Sequence, residues 1–267
     1  MDNLLLMAPK GIVAKDAIQD RAWTIPGGIK ELDGLLGGGF DRGTTTLIAG
    51  PAGTGKSTLA AQYALRLAEN GEHSMMFTFD ECRGIMLQRA KALGLDLEKH
   101  ISSGVVVAQQ VDPAELSPGE FAAQVRRSVV DGAKLVVIDS LNGYLNAMPG
   151  EKYLTNQLHE LTSFLNQQGM ITILILAQHG LVSATESPVD LSYLADTVIS
   201  LRYFEAGGEV KQALSVIKKR SGHHEKTIRE FKLVADRGIL IGGPLKEFQG
   251  VLTGVPNFIG REQQMLK

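Results

Sequence analysis

The chain has 267 residues, 44% of them hydrophobic and 21% charged, with a net charge of −2. That composition is ordinary for a globular protein with a real core. A charge this close to zero excludes a sequence-wide field for nucleic acid or anionic membrane, so any such binding must be local.

The length allows one large α/β domain or two small ones. One cysteine, Cys82, excludes an intrachain disulfide and suits a reducing interior. The opening "MDNLLLMAPK" is too short in its apolar run for a signal sequence, and nowhere do about 18 apolar residues run together. The expected location is the cytoplasm, without membrane contact.

Residues 1–22 lack clear periodicity and read as a terminal arm or linker remnant. From there the chain alternates between β-rich apolar runs and helical stretches. The runs are "TTTLIAG" (44–50), "SMMFTF" (74–79), "VVVAQQ" (105–110), "KLVVID" (134–139) and "ITILILA" (171–177). Helices are predicted over 56–70, 82–93 and 117–130. Between the last two strands, Leu154, Leu158, Leu161 and Leu165 fall on one helical face. Continuous apolar strands between amphipathic helices imply a parallel sheet covered on both sides. Beyond residue 196, "DTVISLRYFE", "VKQALSVIKKR", "TIREFKLVAD" and "GILIG" read as strands without helices, with turn chemistry in "EAGGE" and "ADRG". The predicted fold is one α/β domain with an antiparallel C-terminal β extension.

"GPAGTGKS" (50–57) fits G-x-x-x-x-G-K-[ST] between a predicted strand and a predicted helix, the context that gives the pattern its meaning. Gly50, Gly53 and Gly55 let backbone N–H groups turn toward a polyphosphate, and the helix N-terminus adds its dipole. Gly50, Pro51, Ala52, Gly53, Thr54, Gly55, Lys56, Ser57 and the adjoining Thr58 are the expected ATP contacts. Lys56 should reach the β/γ-phosphates, and the Ser57 hydroxyl should ligate Mg²⁺. Asp139, ending a strand beside this loop, can orient the metal shell. Asp80 and Glu81 end "FTFDE" at the same sheet edge, where a general base would face the γ-phosphate. They equally suit the N-terminus of the helix that follows. Gln178 can sense the γ-phosphate or simply end its strand.

"VIKKRSGHHEKTIREF" (216–231) concentrates positive charge in an otherwise neutral chain. Alternation along a strand puts Lys218 and Arg220 on one face and turns Lys219 away; several of these charges then need be no more than solvated.

Together, "IPGGIKELDGLLGGGFDRGTTTLIAGPAGTGKST", "FTFDE", "LVVIDSL" and "IKKRSGHHEKTIREF" resemble the RecA-superfamily ATPases of the KaiC type, in matching order from about residue 23 to 260, with 261–267 as a tail. The resemblance implies a RecA-like P-loop NTPase fold and a homo-oligomeric ring, a hexamer, with ATP between neighbouring subunits. It implies metal and water chemistry at Asp80 and Glu81, with Asp80 joining Ser57 and Asp139 at the metal. It also implies that Lys218, Arg220, His224 and Lys226 reach the neighbour's nucleotide, and that Leu93 lies against the adenine. Three departures stand out. Asp80 replaces the family's usual glutamate. In "DLSYLADT", Ser192 keeps one of two adjacent phosphosites, but Tyr193 stands in the threonine slot. Finally, one ATPase unit is present where the clock protein has two, and it looks more like the second half.

The expected function is slow hydrolysis of Mg-ATP that drives a conformational or signalling cycle with regulatory protein partners, with Ser192 as a candidate autophosphorylation site. Two alternatives stay open. One is a nucleotide-gated assembly scaffold, which the shorter Asp80 favours. The other is a DNA-dependent ATPase, which the acidic loop "HGLVSATESPVD" (179–190), free of aromatics, disfavours. A small-molecule kinase would need an arginine-rich lid, and no such insertion is present.

Overall fold

The computed structural model describes residues 23–112, 115–146, 154–178, 191–253 and 257–259. The predicted arm (1–22), tail (261–267) and acidic loop (179–190) lie outside the described residues.

A short ribbon of β1 (Thr24–Ile25) and β2 (Phe40–Asp41) brackets helix α1 (Lys30–Leu35). The chain then alternates through β3 (Thr44–Pro51), α2 (Lys56–Glu69), β4 (His73–Thr78), α3 (Arg83–Ala92), α4 (Leu97–Ser102) and β5 (Val106–Gln110). It continues through α5 (Pro118–Val130), β6 (Ala133–Asp139), α6 (Leu141–Asn146), α7 (Leu154–Gln167) and β7 (Ile171–Gln178). Four long strands follow without an intervening α-helix: β8 (Thr197–Ala206), β9 (Glu209–Lys219), β10 (Ile228–Val234) and β11 (Gly238–Pro244). A second small ribbon pairs β12 (Phe248–Gln249) with β13 (Asn257–Phe258).

The nine-stranded sheet has the order β11-β10-β9-β8-β3-β7-β6-β4-β5. Strands β8, β3, β7, β6, β4 and β5 are parallel, and β9, β10 and β11 extend one edge as an antiparallel meander. This is an α/β fold of the RecA-like P-loop type. The apolar runs are continuous because helices cover both faces of the parallel strands. Ile48, Val137, Ile173 and Ile175 pack with Leu59, Tyr63 and Leu67 of α2 and with Leu97 and Ile101 of α4. Leu47, Val136, Ile138 and Leu174 pack on the other side with Phe121 of α5, Tyr144 of α6 and the four leucines of α7. Burying a leucine of this kind contributes on the order of 2 kcal/mol.

Two helix starts differ in a way that bears on function. α5 begins with a capping box: Glu120 N donates to Ser117 Oγ at 3.3 Å and Ser117 N donates to Glu120 Oε2 at 2.8 Å, with Pro118 at the first helical position. α2 begins at Gly55, whose left-handed backbone (φ +94°) only glycine adopts readily, and no side chain caps it. Its first N–H groups therefore face outward at the end of β3.

Candidate phosphate-binding site

Backbone carbonyls shape the loop from Pro51 to Gly55. Pro51 O accepts from Thr54 Oγ1 at 2.9 Å and Lys56 Nζ at 2.6 Å. Ala52 O accepts from Tyr203 Oη at 3.1 Å, and Gly53 O from Gln212 Nε2 at 3.3 Å. In a planar trans peptide a carbonyl pointing one way sets the next N–H the other way. These contacts engage the loop's carbonyl oxygens, whereas an anion cradle is built from its amide N–H groups. Tyr203 and Gln212 sit on β8 and β9, far along the chain, and the sequence gives no sign of them.

Lys56 is 7% exposed. Burial pulls its ammonium down to about 8, with the Asp139 carboxylate opposing. Burial likewise pushes Asp139 up; a hydrogen bond from Ser57 opposes it, Glu81 adds repulsion, and Arg89 and Lys56 pull back. Both partners shift toward neutrality, so desolvation outweighs their attraction in this pocket. A triphosphate would restore the missing charge balance for Lys56.

The carboxyl ends of β3, β7, β6 and β4 share one sheet edge: Pro51 pairs with Gln178 and Asp139 with Thr78. The two predicted acids lie just past β4. Asp80 Oδ2 accepts from Ser140 Oγ at 2.6 Å, next to Asp139. Glu81 forms an ion pair with Arg89 of α3. Among the described residues no three carboxylate, imidazole or thiolate groups converge as a metal cage. Hydroxyl and carboxylate oxygens of Ser57 and Asp139 do meet. Hard oxygen donors of that kind fit a Mg²⁺ ion that takes its remaining ligands from phosphates and water. Asp80 faces Ser140 instead. Gln178 Oε1 is buried with no hydrogen-bond partner. Asn142, unremarked in the sequence, clamps the end of β7: its Nδ2 donates to Ala177 O at 2.9 Å and its Oδ1 accepts from Ala177 N at 2.7 Å.

Leu93 follows α3 and lines a recess of about 370 Å³ with Gly28, Gln62, Asp236 and Arg237. Gln62 lies six residues beyond Lys56 on α2, roughly 9 Å along the helix.

The basic tract sits at the other edge of the sheet. Thr197, opening β8, pairs with both Thr46 and Lys219. Five residues, roughly 16 Å, then separate this level of β3 from Pro51. Lys218 Nζ donates to Ser192 O at 3.0 Å and Ala195 O at 2.8 Å. Arg220, with a side chain 55% exposed, pairs loosely with Asp196 at 3.6 Å. Ser192 occupies a short 3-10 turn here, beside Tyr193, which is 48% exposed. His224 is held below its ordinary value by partial burial and then by the charges of Lys226, His223 and Lys219, which favours the neutral imidazole. Lys226 is exposed. Arg229, within the same run, is taken by Glu225 at 2.8 Å.

Lys219 does turn away from Lys218, but it is not solvated. Its side chain is 3% exposed and meets Asp41, 4% exposed, at 3.0 Å, while Nζ also donates to Leu36 O and Gly39 O at 2.6 and 3.1 Å. Glu225 N donates to Leu35 O at 2.9 Å, and a Cβ on Gly37 would come within 2.1 Å of His223 O. The "LLGGG" turn is thus the seat of the basic tract.

A phosphate loop at the carboxyl edge of a parallel sheet, with an adjacent strand-end aspartate, defines a P-loop nucleoside-triphosphatase fold of the RecA type. Residues 25–246 match the family model described as "ATPase: KaiC", and the chain belongs to the KaiC family of ATPases. It is 30% identical over 246 residues to the circadian clock protein KaiC3 of Synechocystis sp. (strain ATCC 27184 / PCC 6803 / Kazusa), covering 90% of this chain and 47% of that protein. It is 27% identical over 244 residues to the circadian clock oscillator protein KaiC of Thermostichus vulcanus, covering 90% and 46%. Against that of Synechococcus elongatus (strain ATCC 33912 / PCC 7942 / FACHB-805) the identity is 28% over 242 residues, covering 88% and 45%. The chain spans about half the length of these relatives. No helix among the described residues is long and apolar enough to cross a membrane.

Proposed function

We propose that residues 23–260 form an ATPase unit that assembles with copies of itself into a ring, a hexamer on the family pattern, and hydrolyses Mg-ATP held between neighbours. The loop N–H groups and Lys56 bind the triphosphate, Ser57 and Asp139 hold Mg²⁺, and the base enters the recess beside Leu93. The bound ion would neutralise charge on the phosphates. Glu81, or Asp80 beside it, takes a proton from the attacking water as the bond between the γ-phosphorus and the bridging oxygen breaks. Lys218 and Arg220 act on the nucleotide of the adjacent subunit, where arginine's planar, permanent charge suits a transferring phosphoryl group.

The observation that carries this reading is the separation of the two charged sites. A strand of β3 lies between a subunit's phosphate loop and its own basic tract, so the tract can meet a triphosphate only if another subunit supplies it. Ser192 lies at the basic edge too, which makes the neighbour's ATP the only donor for autophosphorylation; γ-labelled ATP and peptide mapping test that. The cycle drives a conformational or signalling output through protein partners.

The deciding experiment mixes two inactive variants. Arg220→Ala keeps an intact pocket and loses the finger, whereas Lys56→Ala loses the pocket and keeps the finger. Each alone should hydrolyse poorly, and mixing under conditions of subunit exchange should restore part of the activity. Loss without rescue would mean action within one subunit. Undiminished hydrolysis in Arg220→Ala would mean a merely solvated charge. Weakened, salt-dependent DNA affinity with basal hydrolysis intact would point to nucleic acid.

A further inference from the structure

Helix α3 joins the two ends of the proposed nucleotide site. Its N-terminus follows Asp80 and Glu81, and its C-terminus delivers Leu93 to the recess assigned to the base. Arg89 lies on this helix one turn before Leu93, whose N–H donates to Arg89 O at 3.3 Å. Side chains on a helix lean toward its N-terminus. Arg89 follows that lean and spans eight positions back to Glu81, with Nη1 on Oε1. The contact is partly shielded, at 32% and 19% side-chain exposure. Glu81 stands close enough to Asp139 to raise its proton affinity, and Arg89 close enough to lower it. The edge therefore gathers the carboxylates of Asp80, Glu81 and Asp139, with Arg89 as the cation from α3.

We propose that Arg89 is a positioning residue of the hydrolytic site, holding the Glu81 carboxylate by Oε1 so that Oε2 is presented to the attacking water. The inference rests on the assignment of Glu81 as the base. Without Arg89, a glutamate with three rotatable bonds faces the neighbouring carboxylates uncompensated and swings toward solvent. Displacement of about 1 Å from the reacting geometry can cost roughly 10²-fold in rate. Lysine carries the charge but neither the fork nor the reach, so it should substitute only in part.

The test is a double-mutant cycle with Mg-ATP on the full chain, reading kcat, ATP affinity and thermal unfolding for each variant. Arg89→Met should lower kcat on the order of 10–100-fold, below the roughly 10²–10⁴-fold that a general base can supply. Its ATP affinity should stay within about twofold of the parent, as expected for an interaction that matters in the transition state alone. Arg89→Lys should recover part of the loss. In a Glu81→Gln background, Arg89→Met should cost nothing further, because residues that act as a unit are not additive. Independent, multiplying losses would overturn the proposal, as would a loss of affinity equal to the loss of rate. Glu81→Gln impaired with Arg89→Met unchanged would sink this inference alone. Glu81→Gln turning over at the parental rate would sink the base assignment and this inference with it.

Discussion

Lys56 shows how a charged residue of the phosphate-loop motif is held at a cost to the fold. In the unfolded chain its ammonium has the ordinary value of 10.5, and in the folded protein burial brings it to about 8. The folded state therefore disfavours the charge. The resulting penalty is fully present below about pH 8 and fades as pH rises toward 10.5, because there the unfolded chain holds a proton that the folded one has released. A shift of this size corresponds to a penalty of about 3 kcal/mol. Lys56→Met should raise the melting temperature of the nucleotide-free protein by several degrees at pH 7, the gain shrinking as pH approaches 10. The same variant should show no tight ATP binding by isothermal titration. A lower melting temperature at pH 7 would mean that the contacts to Pro51 and Asp139 outweigh the burial. The loop motif itself was legible because its chemistry is local. Arg89, Asn142, Ser140 and Tyr203 were not, because each acts across a distance in the chain that no spacing rule covers.

Among elements, the informative pairing is that of the "LLGGG" turn with the basic tract. Burial alone would raise Asp41, but hydrogen bonds from Ser221 and Thr24, together with Lys219, hold it below the usual carboxylate range. Its contribution is thus present above the ordinary carboxylate value and lost as pH falls through its lowered folded value, so acid should loosen this corner. Lys219→Met leaves Asp41 buried without its cation, which typically costs about 3–5 kcal/mol. We expect a large drop in melting temperature, partly recovered by adding Asp41→Asn. Because the turn anchors Lys219, the residue between Lys218 and Arg220, the single variant should also lose hydrolysis while retaining ATP binding; unchanged turnover would uncouple this anchor from the two flanking cations. The sequence supplied both motifs and the alternation that turns Lys219 away. Its buried partner lies 178 residues upstream, beyond the reach of periodicity.

At the scale of the whole molecule, the sheet carries the functional logic. Parallel β8 and antiparallel β9 place the basic tract at the edge opposite the phosphate loop, so the chain carries its two charged sites at opposite edges. On the proposed reading, the site is completed by assembly, through a head-to-tail contact that closes into a ring. Native mass measurement should show a single chain without nucleotide and a closed oligomer with Mg-ATP, whereas Lys56→Met should remain a single chain under both conditions. Assembly that ignores nucleotide would detach ring formation from the site.

Hydrophobic period and glycine chemistry by themselves determined the strands from β3 to β11, the helices α2, α3, α5 and α7, and the glycine-rich loop between β3 and α2. These are local signals, written within a dozen residues. The short helices α1, α4 and α6 escaped because six residues carry too little period. Strand order, the carbonyl contacts that shape the loop and the opposite placement of the two charged sites were decided only by the tertiary structure. The reason is physical: which edge a residue occupies depends on strand direction and pairing between distant segments, and those are fixed when both faces of the sheet are buried.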